Sequence, residues 1–265
     1  MFINLPTSFP EDKFKEFGRL ASVFFPKVLS EEDLNDPLQR RLQFERSWVA
    51  VMYRYRACAD YNDDFKALVL GASDLWREWG ADEELNYKLE QYLYGFFMNG
   101  LSIFESFGFC LYFVGAAQQF MNFLYVCEPR NINLEKTTRA FCNAFPHLSI
   151  ATRLDALVKG KDYKLIKSVR NILAHRLAAS PYVHGYGITH QDGTHTCTKE
   201  EGWYFPGLKD EIDEELTQRF MELTQQIGET TQRFLDEINS LLTSLLEASV
   251  EFVQKSKPAK ASGKT

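Results

Sequence analysis

Arg170, Asn171 and His175 are the residues whose types and spacing carry the most specific chemistry in this chain of 265 residues. A guanidinium presents a planar fork of donors that fits a pair of anionic oxygens. An imidazole takes up or releases a proton near neutral pH. An amide four residues before the imidazole is placed to orient it. Together these groups suit a step in which a proton moves while negative charge gathers on phosphoryl oxygens.

A helix must position them. Gly160 closes the preceding element, and Asp162 is expected to cap the new helix through its carboxylate. Leu165, Ile166, Val169, Ile172, Leu173 and Leu177 then recur at helical period, and Pro181 ends the pattern. On a wheel of ~100° per residue, Asn171 and His175 share the polar side with Lys164, Lys167 and Ser168. Arg170 lies at the edge of the apolar stripe. Arg170 and His175 are five positions apart and point ~140° away from each other. Three routes bring them together: the arginine reaches round, the helix ends early, or a second chain supplies one of them.

Arg170, Asn171 and His175 resemble the Arg-x4–6-His motif of the HEPN superfamily, whose members often carry a polar residue directly after the arginine. The context matches too, a late helix behind a long hydrophobic one. The resemblance implies an all-α, HEPN-like bundle, commonly dimeric, in a family with many metal-independent endoribonucleases and some members that only bind. On that implication His175 moves the proton, Arg170 stabilises the phosphoryl oxygens, and Asn171 positions His175 or the phosphate. Lys164, Lys167 and Arg176 would hold the RNA backbone. RNA is then the expected partner, with a homodimer, no cofactor, and a protein regulator of the kind found in toxin or defence systems. The alternative is a non-catalytic helical module for a nucleotide, RNA or protein, in which His175 only caps a helix end. Glu105, a carboxylate in a Phe-rich helix, either orients Arg170 or His175 or belongs to a structural ion pair.

Charge distribution bears on the RNA reading. The net charge is −6, which argues against general nucleic-acid binding. Between Arg153 and Arg176, however, seven basic residues (Arg153, Lys159, Lys161, Lys164, Lys167, Arg170, Arg176) outnumber two acidic ones (Asp155, Asp162), a local +5. A solvated helix face is the plain alternative. The five cysteines are odd in number, scattered and without a CxxC pair, which suits reduced thiols in a cytoplasmic protein. MFINLPTSFPEDK lacks a basic region followed by an apolar run, so it does not read as a signal peptide.

The rest of the chain reads as helices around this one. Residues 1–80 form an N-terminal helical segment packed on the same bundle, with helices expected over 11–25, from Pro37 onward, and over 65–79. Residues 81–254 form the HEPN-like domain, and 255–265 a disordered basic tail. The stretch from Asp82 to about Val126 is apolar nearly all round and is expected to be buried. It is long enough for a membrane span, but Asn99, Glu105, Gln118, Gln119 and Asn122 interrupt its apolar character, so the expected surroundings are protein and not lipid. Gly95, Gly100, Gly108 and Gly115 within it point to close packing or a kink. Residues 133–145 and 147–159 are further helices, and a long C-terminal helix is expected from Leu208 to about Val253, with a bend at Gly228 as one option.

A β-hairpin is expected as an insertion near 182–205, with Asp192-Gly193 as a two-residue turn. That register puts His190 opposite His195, with Cys197 and His184 on the same side, as weak candidates for a metal site. The spacing fits no zinc motif, and an exposed ribbon acting as a lid or dimer contact is the simpler reading.

Overall fold

The computed structural model describes residues 4–25, 37–71, 83–124, 129–175, 179–189, 195–205, 207–208 and 212–256. The fold is mostly helical, with eight α-helices among the described residues. They are α1 (Glu11–Ala21), α2 (Pro37–Gly71), α3 (Glu83–Gln118), α4 (Leu134–Ala144), α5 (Ser149–Lys159), α6 (Lys161–His175), α7 (Glu214–Thr224) and α8 (Thr230–Lys255). Two strands, β1 (Ser180–Thr189) and β2 (His195–Tyr204), pair antiparallel between α6 and α7. The chain forms two compact units that interleave in sequence. One comprises Met1–Arg56, Ser102–Gly160 and Ile238–Thr265, the other Ala57–Leu101 and Lys161–Glu237.

The first unit is built on aromatic rings. Phe14 stacks on Trp48 at 3.5 Å, and Phe17 lies 5.7 Å from Phe107. Phe141 on α4 meets Phe123 at 5.3 Å and Phe252 on α8 at 5.3 Å. The backbones approach closely where α3 carries glycine. A Cβ at Gly108 would lie 2.7 Å from Leu134 Cδ1, and one at Gly115 would lie 2.3 Å from Phe123 Cζ. Phe123 is fully buried and boxed in by Tyr112, Phe141 and Phe145, so it has nowhere to move. Gly115→Ala is therefore expected to destabilise by about 1–3 kcal/mol from overpacking. This outweighs the gain of about 1 kcal/mol in helix propensity. The denaturant midpoint reads it, and a stabilised variant would contradict the packing.

At the far end of this unit, Ser149 Oγ donates to Glu251 on α8, and Lys255 donates to the same carboxylate. These bonds, Lys255 first and Ser149 second, hold the Glu251 carboxyl below its ordinary range. A depressed carboxyl contributes stability above its unfolded-state value, and that contribution is lost as pH falls through the folded one. The tie is thus present at neutral pH and released on the acid side. Ser149→Ala should move the Glu251 titration upward, as followed by carboxylate NMR; an unchanged midpoint would remove the hydroxyl as a cause.

The second unit centres on the buried Phe65, Leu93, Phe96, Phe97 and Leu101, together with the inner face of α6. Phe97 meets Phe234 edge-on at 4.9 Å, and Phe65 lies 5.9 Å from Trp203. The buried amide of Asn62 donates to Gln232 Oε1 at 3.1 Å.

Four sequence expectations change. The apolar pattern from 208 to 253 is two helices, α7 and α8, with a short 3-10 turn at Ile227–Glu229 between them. Gln226 is extended there (φ −128, ψ 111), Ile227 is buried, and Arg233 Nη1 donates to the Glu222 carbonyl at 2.7 Å. The break is therefore filled and hydrogen-bonded. Asp162 is not a cap, since α6 already includes Lys161; its carboxylate accepts from Arg219 instead. The strand register pairs Thr189 with His195 and Gly187 with Cys197, one position off the expected pairing. His184 pairs with Glu200, so it does not share the parity of His195 and Cys197. A one-residue slip is what an odd number of residues between paired ends produces, and a two-residue turn cannot. His190 and the expected turn at 192–193 lie outside the described residues, as do 72–82, Arg176, Leu177 and the tail from 257.

α3 is long and apolar enough to cross a membrane by length and composition, and 72% of its most apolar window is buried within the protein. Cys58 and Cys110 are fully buried free thiols, and burial pushes both well above the usual thiol range.

Candidate functional site

α6 separates its faces cleanly. Tyr163, Leu165, Ile166, Val169, Ile172 and Leu173 are buried, which fixes the helix against the core of its unit. On the other side Lys164 is exposed, while Lys167, Ser168, Arg170 and Asn171 are half-buried. Arg170 and Lys167 each take part in a polar or electrostatic interaction. His175 is the last described residue of α6.

Both Arg170 and His175 belong to α6. An early helix end therefore does not bring them together. The ~140° between them within one helix stands. Two routes remain, a reaching arginine or a second chain.

The N-terminal end of α6 has a different character. Arg219 on α7 donates from Nε to Asp162 Oδ1 at 2.9 Å and from Nη2 to Glu237 Oε1 at 2.5 Å, and approaches Glu222 at 3.4 Å. Lys161 pairs with Glu215. An open cleft of about 630 Å³ runs along this corner, lined by Asp213, Glu214, Glu215 and Glu222 against Lys161 and Arg219, with Gln218. Four carboxylates against two cations make it a poor place for phosphate. The Lys159–Asp155 pair at 2.7 Å is already inside the local count of +5, while Glu215 on Lys161 and Arg219 on Asp162 bring charges of opposite sign from outside it.

Sequence reading missed Arg219. It lies 57 residues from Asp162, in a helix with three Glu, and only its spacing of three from Glu222 hinted at a pair. Glu105 is half-buried and engaged, and it belongs to the first unit, whereas the motif belongs to the second. His195 and Cys197 stand on β2 opposite Thr189 and Gly187. Among the described residues, no group of three or more His, Cys, Asp or Glu side chains is arranged to hold a metal ion.

No family model, no curated protein and no solved structure matches this chain.

Proposed function

We propose that the chain is a metal-independent endoribonuclease of the HEPN kind, a HEPN-like bundle with a hairpin insertion near 182–205 that acts as a homodimer. The observation that supports this is the later part of α6: Arg170 and Asn171 stand half-exposed about one turn before His175, on a helix whose opposite face is buried. The Arg170 and Asn171 side chains are carried by a packed helix without being buried in its core.

In the proposed reaction His175 takes the proton of a ribose 2′-hydroxyl. The 2′-oxygen bonds to the adjacent phosphorus, and the bond from phosphorus to the 5′-oxygen breaks. The leaving 5′-oxygen recovers the proton, so the products are a cyclic phosphate and a 5′-hydroxyl. Arg170 stabilises the equatorial oxygens, Asn171 positions the imidazole or the phosphate, and Lys164, Lys167 and Arg176 hold the backbone. In a dimer, each chain completes the other's pair of Arg170 and His175, which meets the ~140° divergence. Glu105 is a supporting carboxylate in this reading. The setting would be cytoplasmic, under a protein regulator.

The net charge of −6 favours a second reading, a non-catalytic module that binds nucleotide, RNA or protein, in which His175 only caps a helix end and is stabilised there by the dipole. Incubating the purified protein with mixed cellular RNA in EDTA, beside His175→Ala, separates the two. Cyclic phosphate ends from the wild type alone support the nuclease. Binding of RNA without turnover supports the module.

A further inference from the structure

We infer that Arg219 is a positioning residue for the Arg170–His175 end of α6, an inference that rests on the ribonuclease reading for its effect on cleavage. The buried face of α6 is aliphatic apart from Tyr163. Apolar contact is non-directional and tolerates small sliding along the helix axis. Arg219 supplies direction. Its planar fork joins Asp162 on α6, Glu222 on its own helix α7 and Glu237 on α8. The Arg219 side chain is 29% exposed and those of Asp162 and Glu237 are 27% and 28% exposed. These bonds are screened less than surface pairs such as Lys161–Glu215, whose side chains are 52% and 65% exposed.

Asp162 is in the first turn of α6, and Arg170 and His175 follow on the same rod ~12 Å and ~20 Å away. A helix passes an axial shift along its length undiminished. A displacement of ~1 Å at reacting groups costs roughly 10²-fold in rate. Arg219 touches no phosphate in this scheme and acts only through where it holds α6.

The test uses the full chain with Arg219→Ala and the charge-retaining Arg219→Lys. Cleavage of a labelled single-stranded RNA in EDTA is resolved into kcat and KM, and amide exchange is followed over residues 161–175, with residues 134–144 of the other unit as internal reference. Arg219→Ala should lower kcat about 10- to 100-fold with KM little changed, and speed exchange in α6 about tenfold relative to the reference. Arg219→Lys should fall between Arg219→Ala and the wild type. Asp162→Asn should reproduce the loss, and the double variant should add little to it. Unchanged exchange in α6, or a rise in KM alone, would overturn the inference. If the wild type itself cleaves nothing, the ribonuclease reading fails, and exchange in α6 still decides whether Arg219 holds the helix.

Discussion

Alanine at His175 should lower RNA cleavage by about 10²–10⁴-fold, the usual contribution of a positioned acid–base group. Arg170→Ala should cost about 10²–10³-fold, as the loss of one strong donor to a developing oxyanion does. Arg170 is half-buried and outside the buried face of α6, so Arg170→Ala should melt near the wild type. The divergence of the two side chains adds a sharper test. If each site takes its arginine from one chain and its histidine from the other, two inactive variants should rescue each other. Mixing Arg170→Ala with His175→Ala makes half the dimers mixed, and each mixed dimer has one intact site. Roughly a quarter of wild-type activity should return. Loss in both variants without rescue would mean that Arg170 reaches round its own helix. Full activity in His175→Ala would end the ribonuclease reading and leave the binding module.

Phe141→Ala should be the most damaging core substitution in the first unit, costing about 3–5 kcal/mol. The ring is fully buried and meets Phe123, Phe145 and Phe252 at 5.3, 5.6 and 5.3 Å. Its removal leaves a hollow bounded by stiff rings that cannot collapse inward. Domains have about 5–15 kcal/mol in total, so this is a large share. Phe141→Leu, which refills most of the volume, should recover more than half of the loss. Chemical denaturation of both variants measures it. A cost below about 1 kcal/mol for alanine would show that the cluster relaxes.

The motif helix was legible because its cause is local. Leu165, Ile166, Val169, Ile172 and Leu173 recur at helical period and are the residues buried. The crowding at Gly108 and Gly115 was legible for a similar reason, since a glycine inside an apolar helix implies a neighbour pressed against it. What depends on distant partners was not. Asp162 has the composition of a cap, and only a residue 57 positions away makes it an ion-pair ligand. The strand register turned on a single residue that the Asp192-Gly193 pair, read alone, assigned the other way. The long C-terminal pattern was carried across its break by Thr230, which filled a gap in the periodicity, while the buried Ile227 and the bond from Arg233 close the corner in space. For the candidate site, the shared helix of Arg170, Asn171 and His175 was legible, and their orientation was not, because orientation depends on what holds the other end of that helix.

The interleaving of the two units sets an order of events during synthesis. The second unit has its last segment once residue 237 has been made, whereas the first still needs the chain from Ile238 onward. The segments 1–56 and 102–160 are made early and must wait, their aromatic rings without Phe252, until the final helix emerges. A chain released after residue 237 would therefore hold every segment of the motif-bearing unit and lack one of the other. Chaperone demand should fall on segments 1–56 and 102–160 while they await residues 238 onward.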